Sequence, residues 1–274
     1  MNESRLIIPE DASPQLIDIL EKISKMNKLE FYKFAEYCMQ TNREVLIKNV
    51  AAIAIEDGYE SIALELAKKA LEITKRPTEI YNLIGNAYFH AGEFDKAYDA
   101  FNNALSSMSG GMNVMRASIL KNIASCLMEQ DNYFAAQCKL HDAIQLIMAS
   151  DEYKADNNIP ELYVIYAILG DAYCQSAHFR KEHTDEIISV DEDYKFAIKY
   201  LKESIHPCLP PEDIVISYYN LACVCEEIGL YEDALLNYKV ALNTYNDVRD
   251  NSIIDPQLII DAVSKMEKKT EGVK

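Results

Sequence analysis

The sequence predicts an all-α fold, an α-solenoid in which helix pairs stack in series and capping helices cover both ends. Gly and Pro each occur only eight times in 274 residues, about half of the roughly 12% share that these two residues usually have together. Apolar residues make up 49% of the chain, which is enough to bury a core. Small residues also recur at fixed spacing, and this recurrence is the strongest of the three observations.

The clearest repeating unit lies at residues 81–105, where Gly85, Ala97 and Ala104 are separated by gaps of 12 and 7 residues. The same gaps separate three further sets, which are Ala51, Ala63 and Ala70, then Ala124, Ala136 and Ala143, and finally Ala222, Ala234 and Ala241. A fifth set, Gly170, Ala197 and Ser204, has a first gap of 27 and therefore carries 15 extra residues. A regular period of this length predicts stacked structural repeats.

Close packing explains why these positions are small. Where two helices of a pair cross, only Gly, Ala or Ser lets the backbones approach, and larger residues fill the flanks. In the second repeat copy the predicted flanking residues are Tyr81, Ile84, Tyr88, Phe94 and Phe101. A bulky side chain at Ala97 would overpack the crossing and cost about 1–3 kcal/mol.

The first small residue of each set, which we call the leading small residue, also predicts where the first helix of a pair ends, namely seven residues later. Gly58, Gly92 and Gly229 occupy that position in three copies, and Asp131 and Ala177 occupy it in the others. Glycine is favoured there because a helix commonly ends on a left-handed residue. Longer loops are predicted at residues 106–113, 150–160 and 180–191.

Two further signals mark helix starts outside the repeats. Ser13 and Pro14, and likewise Asp255 and Pro256, place a capping side chain directly before a proline of the first turn. The flanks 14–40 and 256–269 have helical apolar spacing without the repeat pattern. They predict caps that shield the end repeats from water.

The spacing and identity of these residues resemble the tetratricopeptide repeat family, whose period is about 34 residues. The resemblance covers residues 44–247 in five copies, at 44–77, 78–111, 117–150, 163–209 with the insertion, and 215–248. It implies a right-handed α-solenoid of tetratricopeptide-like helix pairs. Residues 1–43 are then the N-terminal capping helices, and 249–274 the C-terminal capping helix and tail.

The resemblance also implies a concave groove lined by the first helices, which binds a peptide or a segment of another protein. The residue two before the leading small residue faces this groove in the family, and it is Asn49, Asn122 and Asn220 in three of the five copies. These positions look like the asparagine ladder of peptide-binding members such as kinesin light chains and bacterial intracellular pheromone receptors. An amide can both donate to and accept from a peptide backbone.

Neighbouring residues on the same predicted face would select the bound sequence, and they are Lys48, Asn82, Asn86, Lys121, Asp171, Tyr219 and Glu226. The lysines lie in the N-terminal half and the carboxylates in the C-terminal half. We therefore expect a partner segment that is acidic at one end and basic at the other.

Charge and motifs exclude other classes of protein. With 27 basic and 44 acidic residues the net charge is −17, which disfavours nucleic acid and anionic membranes as partners. No phosphate loop, zinc motif or nucleophile constellation occurs, so we expect no catalysis, no metal and no cofactor. Cys223 and Cys225 would point to different sides of a helix, so they could not bind one metal ion together. An odd number of cysteines, seven, together with no signal-peptide pattern predicts a soluble, cytoplasmic protein.

Two alternatives to a passive scaffold remain open. The chain could be an intracellular regulator that senses a small peptide. It could instead be a homo-oligomer, in which apolar groove residues hold the terminal helix of another copy; these residues are Leu83, Phe89, Val164, Ile168 and Ile216. Residues 180–191 are either a binding loop or a tolerated surface insertion.

Overall fold

The computed structural model describes residues 22–23, 26–184, 187–246, 248 and 254–271, and these contain thirteen helices and no strand. The predicted all-α class is confirmed. In chain order the helices are α1 Lys28–Gln40, α2 Glu44–Glu56, α3 Glu60–Ile73, α4 Pro77–His90, α5 Phe94–Ser106, α6 Asn113–Met128, α7 Tyr133–Met148, α8 Asp151–Ala155, α9 Pro160–His183, α10 Ile187–Ser204, α11 Pro211–Glu227, α12 Tyr231–Tyr245 and α13 Pro256–Glu271. The chain divides into two compact units, residues 1–110 and 111–274.

The first unit contains two helix pairs, α2 with α3 and α4 with α5, and helix α1 packs against the first pair. Its core is a single cluster that includes Phe31 of α1, Ile47 of α2, Leu66 of α3 and Ile80 of α4. Helix α1 begins after Asn27, whose side chain accepts hydrogen bonds from two backbone N–H groups of the first turn. The predicted start at Ser13 and Pro14 lies outside the described residues.

The second unit contains three helix pairs, α6 with α7, α9 with α10 and α11 with α12. Helix α13 packs against α12, and its residues Ile259 and Met266 are completely buried. It begins at Pro256 as predicted, and the Asp255 carboxylate accepts a hydrogen bond from the Gln257 N–H at 2.9 Å.

Every small residue of the repeat pattern is buried. The tightest crossings are at the two glycines. A Cβ added to Gly85 would stand 2.4 Å from the ring of Phe101, and one added to Gly170 would stand 2.7 Å from Leu201. The pattern therefore marks places where only a hydrogen atom or a methyl group fits between the paired helices.

Four of the five predicted chain reversals have the expected left-handed residue. Its φ is 73° at Gly58, 73° at Gly92, 57° at Asp131 and 81° at Gly229. After Gly92, the Glu93 N–H donates to the Tyr88 carbonyl five residues back, which is the longer of the two bonds in a Schellman helix end. Aspartate tolerates this backbone region better than most residues with a Cβ.

The fourth copy departs from the prediction. Ala177 lies inside α9, which continues to His183, and α10 already begins at Ile187. The loop predicted at 180–191 is wrong for most of its length, because the extra residues lengthen both helices. The loop predicted at 150–160 is also incorrect in part, since it contains the short helix α8.

A buried polar network joins α9 to α10 in the lengthened part of this fourth pair. The Ser176 hydroxyl of α9 donates to Asp193 Oδ2 of α10 at 2.8 Å, and Arg180 Nε lies 3.1 Å from the same oxygen. Burial raises the pKa of Asp193, although the hydrogen bond from Ser176 and the charge of Arg180 act in the opposite direction. Asp193 is only 7% exposed, so a change that breaks this network should be costly.

Candidate functional site

Within each unit the first helices of neighbouring pairs lie side by side. Helix α2 contacts α4 in the first unit, and α9 contacts both α6 and α11 in the second. Among the described residues, the second helices of neighbouring pairs have almost no contacts with one another. Pairs that meet through their first helices and diverge at their second helices are wedge-shaped, so the first helices form the inner layer of each stack.

The three asparagines lie on this inner layer, near the middle of their helices. Asn49 is on α2 of the first unit, whereas Asn122 and Asn220 are on α6 and α11 of the second, on either side of α9. All three are half-buried. The Asn49 Nδ2 atom is excluded from water and has no hydrogen-bond partner among the described residues. An unsatisfied buried donor costs about 1–3 kcal/mol.

The two lysines of the predicted site are already paired within the chain. Lys48 of α2 forms an ion pair with Glu79 at the start of α4. Lys121 of α6 lies 3.0 Å from Glu161 at the start of α9. Both pairs join neighbouring first helices. The expected basic half of the groove is therefore largely neutralised by acidic residues from the adjacent copy.

Intramolecular contacts also occupy the two predicted carboxylates. Burial raises the pKa of Asp171, which accepts a hydrogen bond from Gln175 at 2.8 Å. Glu226 lies 2.6 Å from Lys265 and 3.2 Å from Lys269, both of α13. Burial alone would raise the pKa of Glu226, but its hydrogen bonds from these lysines outweigh burial and lower it.

The remaining predicted residues are also half-buried on first helices. Asn82 and Asn86 lie on α4, next to the helix that carries Asn49. Tyr219 lies on α11, one residue before Asn220, and its ring meets that of Tyr238 at a centroid distance of 5.6 Å. The structure thus brings Lys48, Asn49, Asn82 and Asn86 onto two adjacent helices of the first unit. Lys121, Asn122, Asp171, Tyr219, Asn220 and Glu226 lie on three adjacent helices of the second unit.

The described residues hold no group of three or more His, Cys, Asp or Glu side chains that could bind a metal ion. None of the helices in the described ranges is both long and apolar enough to cross a membrane. All seven cysteines are free thiols. Burial raises the pKa of Cys38 to about 11 and that of Cys126 to about 12, so these two thiols are poor nucleophiles at neutral pH.

Sequence reasoning missed a cleft of about 490 Å³ at the end of the fourth helix pair. Its lining includes Lys181 of α9, Val190, Asp191 and Tyr194 of α10, and Glu227 and Ile228 at the end of α11. The insertion in the fourth copy was the only signal of it in the sequence. The repeat pattern predicts a loop there, whereas the inserted residues lengthen α9 and α10 and so form the cleft.

No family model matches the chain, and no curated protein matches it in sequence. Solved structures do match its fold. BtubC (BKLC) from P. vanneervenii has a TM-score of 0.59 at 18% identity, over 81% of this chain and 92% of that one. The TPR-like repeats of a Podosopora anserina putative kinesin light chain give 0.56 at 13% identity, over 74% and 95%. PilF of Pseudomonas aeruginosa gives 0.54 at 16% identity, over 84% and 91%.

These similarities confirm the fold predicted from the small-residue pattern. The chain is a tetratricopeptide-like helical-repeat solenoid. At such low sequence identities they establish the fold alone.

Proposed function

We propose that this protein is a noncatalytic scaffold that binds an extended segment of another protein against its first helices. In the first unit Asn49 contacts the backbone of a bound segment, in the second unit Asn122 and Asn220 do so, and the residues around them select the bound sequence. The observation that carries this proposal is that Asn49, Asn122 and Asn220 all lie half-buried near the middle of first helices, on the inner layer of their units.

The ion pairs on the inner layer refine the expected partner. Because Lys48 and Lys121 already neutralise Glu79 and Glu161, an acidic ligand would have to compete with these glutamates. An amide has two donors and an acceptor oxygen with two lone pairs, so an internal hydrogen bond leaves it further groups for a peptide backbone. We therefore expect hydrogen bonds from asparagine to contribute more affinity than charge does, and binding to depend only weakly on salt.

The test begins with capture of partners from the native source by the unmodified chain. The dissociation constant of each purified partner is then measured with the double variant Asn122→Ala, Asn220→Ala. Two lost hydrogen bonds should weaken binding by about 1–3 kcal/mol in total. The matched control is Asn103→Ala with Asn243→Ala, two exposed asparagines of second helices. An unchanged affinity in the first double variant would refute the assignment.

Asn49→Ala separates binding from folding. Removing a buried donor that has no partner should leave the free chain as stable as before or stabilise it by up to about 1–3 kcal/mol, while the affinity for the partner falls. Urea unfolding of the free variant and calorimetric titration with the partner give the two values. A variant that is clearly destabilised but binds normally would show that Asn49 has only a structural role.

A further inference from the structure

The lengthened fourth helix pair extends beyond its neighbours. Helix α4 ends five residues after Gly85 and α11 ends five residues after Ala222, but α9 continues for thirteen residues after Gly170. At 1.5 Å per residue, the additional eight residues extend α9 by about 12 Å. The residues beyond Ala177 therefore have no counterpart in the other pairs, and they form one wall of the cleft.

The cleft combines an apolar part with an acidic rim. Val190 and the ring of Tyr194 are buried, and Ile228 is partly exposed. The charged residues of the lining are Lys181, Asp191 and Glu227. With two carboxylates and one ammonium group, the rim has a net negative charge, which favours a cationic ligand.

In the free chain, Lys181 is paired with the acidic rim of the cleft. Its Nζ atom lies 2.7 Å from Glu227 Oε1, and both side chains are well exposed, at 57% and 39%. The hydrogen bond from Lys181 lowers the pKa of Glu227, so this carboxylate is ionised at neutral pH. An exposed ion pair of this type contributes little stability, and a better cation can therefore displace the lysine.

Tyr194 indicates that the site is incomplete in the free chain. The residue is only 5% exposed, and its hydroxyl has no hydrogen bond of normal geometry among the described residues, although burial and then the charge of the nearby Glu227 carboxylate raise its pKa. A buried hydroxyl usually has a hydrogen-bond partner. A ligand donor that displaces Lys181 from Glu227 and also reaches the phenol would supply the partner that Tyr194 lacks.

We propose that this cleft binds an arginine side chain of a partner protein, whose guanidinium group replaces Lys181 on Glu227. The planar guanidinium has five donors in a fixed fork, so it can bind the Glu227 carboxylate through two of them and keep others for further acceptors of the lining. Its aliphatic stem fits the apolar surface of Val190 and Ile228. Lysine has a single compact charge and matches this arrangement less well. The site does not use the asparagines, so either proposal can fail while the other holds.

The probe is a blocked pentapeptide, acetyl-Ala-Ala-Arg-Ala-Ala-amide, titrated into the full chain. Methyl NMR signals of Val190 and Ile228 report on the cleft, and a citrulline peptide of the same shape but without charge is the control ligand. We expect the arginine peptide to shift these signals and to bind at least about tenfold more tightly than the citrulline peptide. Equal affinities, or no shift at about 5 mM peptide, would overturn the proposal.

Two variants test the exchange of cations. Lys181→Met removes the internal competitor and should tighten binding of the arginine peptide about threefold or more. Glu227→Gln should weaken it about tenfold. The control is Lys239→Met, which removes an exposed lysine that pairs with Glu267 outside the cleft, and it should leave the affinity unchanged. If Lys181→Met and Lys239→Met give the same affinity as the unmodified chain, Lys181 does not compete for the site and the proposal is wrong.

Discussion

The second and fourth helix pairs, α4 with α5 and α9 with α10, share the same crossing but end differently. Gly85 packs on Phe101, and Gly170 packs on Leu201. Each of these larger residues lies four positions after the buried alanine of its helix, Ala97 or Ala197. The crossing is thus set by a local contact of small and large residues, however far the two helices extend beyond it.

The ends of the two pairs differ because of the residue at the reversal. Gly92 adopts a φ of 73° without strain and ends α4 after His90. In the fourth copy Ala177 stands at this position, and a left-handed conformation is unfavourable for alanine. The residues after it, including Arg180 and Lys181, are good helix formers. The helix therefore continues, and its new end makes a surface that the second pair lacks.

The largest effect should come from filling the shared crossing. We expect Ala97→Leu and Ala197→Leu each to destabilise the chain by about 1–3 kcal/mol, since both positions are fully buried and have no space for a larger side chain. Urea unfolding measures the change. Asp99→Leu and Lys195→Leu, at exposed positions of the same two helices, should change stability by less than about 0.5 kcal/mol. Similar results for buried and exposed positions would contradict a common crossing.

An intermediate effect should be confined to the fourth pair. Asp193→Ala removes the acceptor of Ser176 and the partner of Arg180, and we expect a cost of about 1–3 kcal/mol because Arg180 keeps some access to water. Hydrogen exchange should become faster in α9 and α10 and stay unchanged in α4 and α5. Glu192→Gln, at the exposed neighbouring position, is the control. Equal acceleration in both pairs would mean that the network does not act locally.

The smallest effect should be at the reversal of the second pair. Gly92→Ala introduces a Cβ at a φ of 73°, where no other atom lies within 4 Å, so the cost is backbone strain of about 1 kcal/mol. Gly110→Ala is the matched control, because Gly110 also has open space around it but no positive φ. The difference between the two variants in thermal unfolding tests the role of the left-handed residue. If it vanishes, the end of α4 has another cause.

Much of the fold could be predicted because its signals are local. The recurring gaps place Gly85, Ala97 and Ala104 at one crossing, and Gly92 marks the reversal that follows the first helix. The prediction failed at Ala177 because a repeat pattern contains no information on an insertion. Whether inserted residues form a loop or extend a helix depends on their propensities and on contacts between helices, such as that of Ser176 with Asp193.

For the candidate site, the sequence predicts which residues lie on the inner layer but not how buried they are or which charges they pair with. The positions of Asn49, Asn122 and Asn220 follow from the repeat, but nothing in it shows that the Asn49 Nδ2 atom is buried without a partner among the described residues. Nor could the sequence show that Glu79 neutralises Lys48, or that Lys265 and Lys269 of the last helix reach Glu226.

The sequence by itself determined the helix pairs, their crossings and most of their turns, because each depends on residues a few turns of helix apart. Only the tertiary structure decided which charges remain available and where the chain forms a cleft. Those properties arise from side chains that meet across helices from different repeats, as Lys181 of α9 meets Glu227 of α11. Such pairings depend on how the hairpins stack, and the spacing of residues along the chain does not specify them.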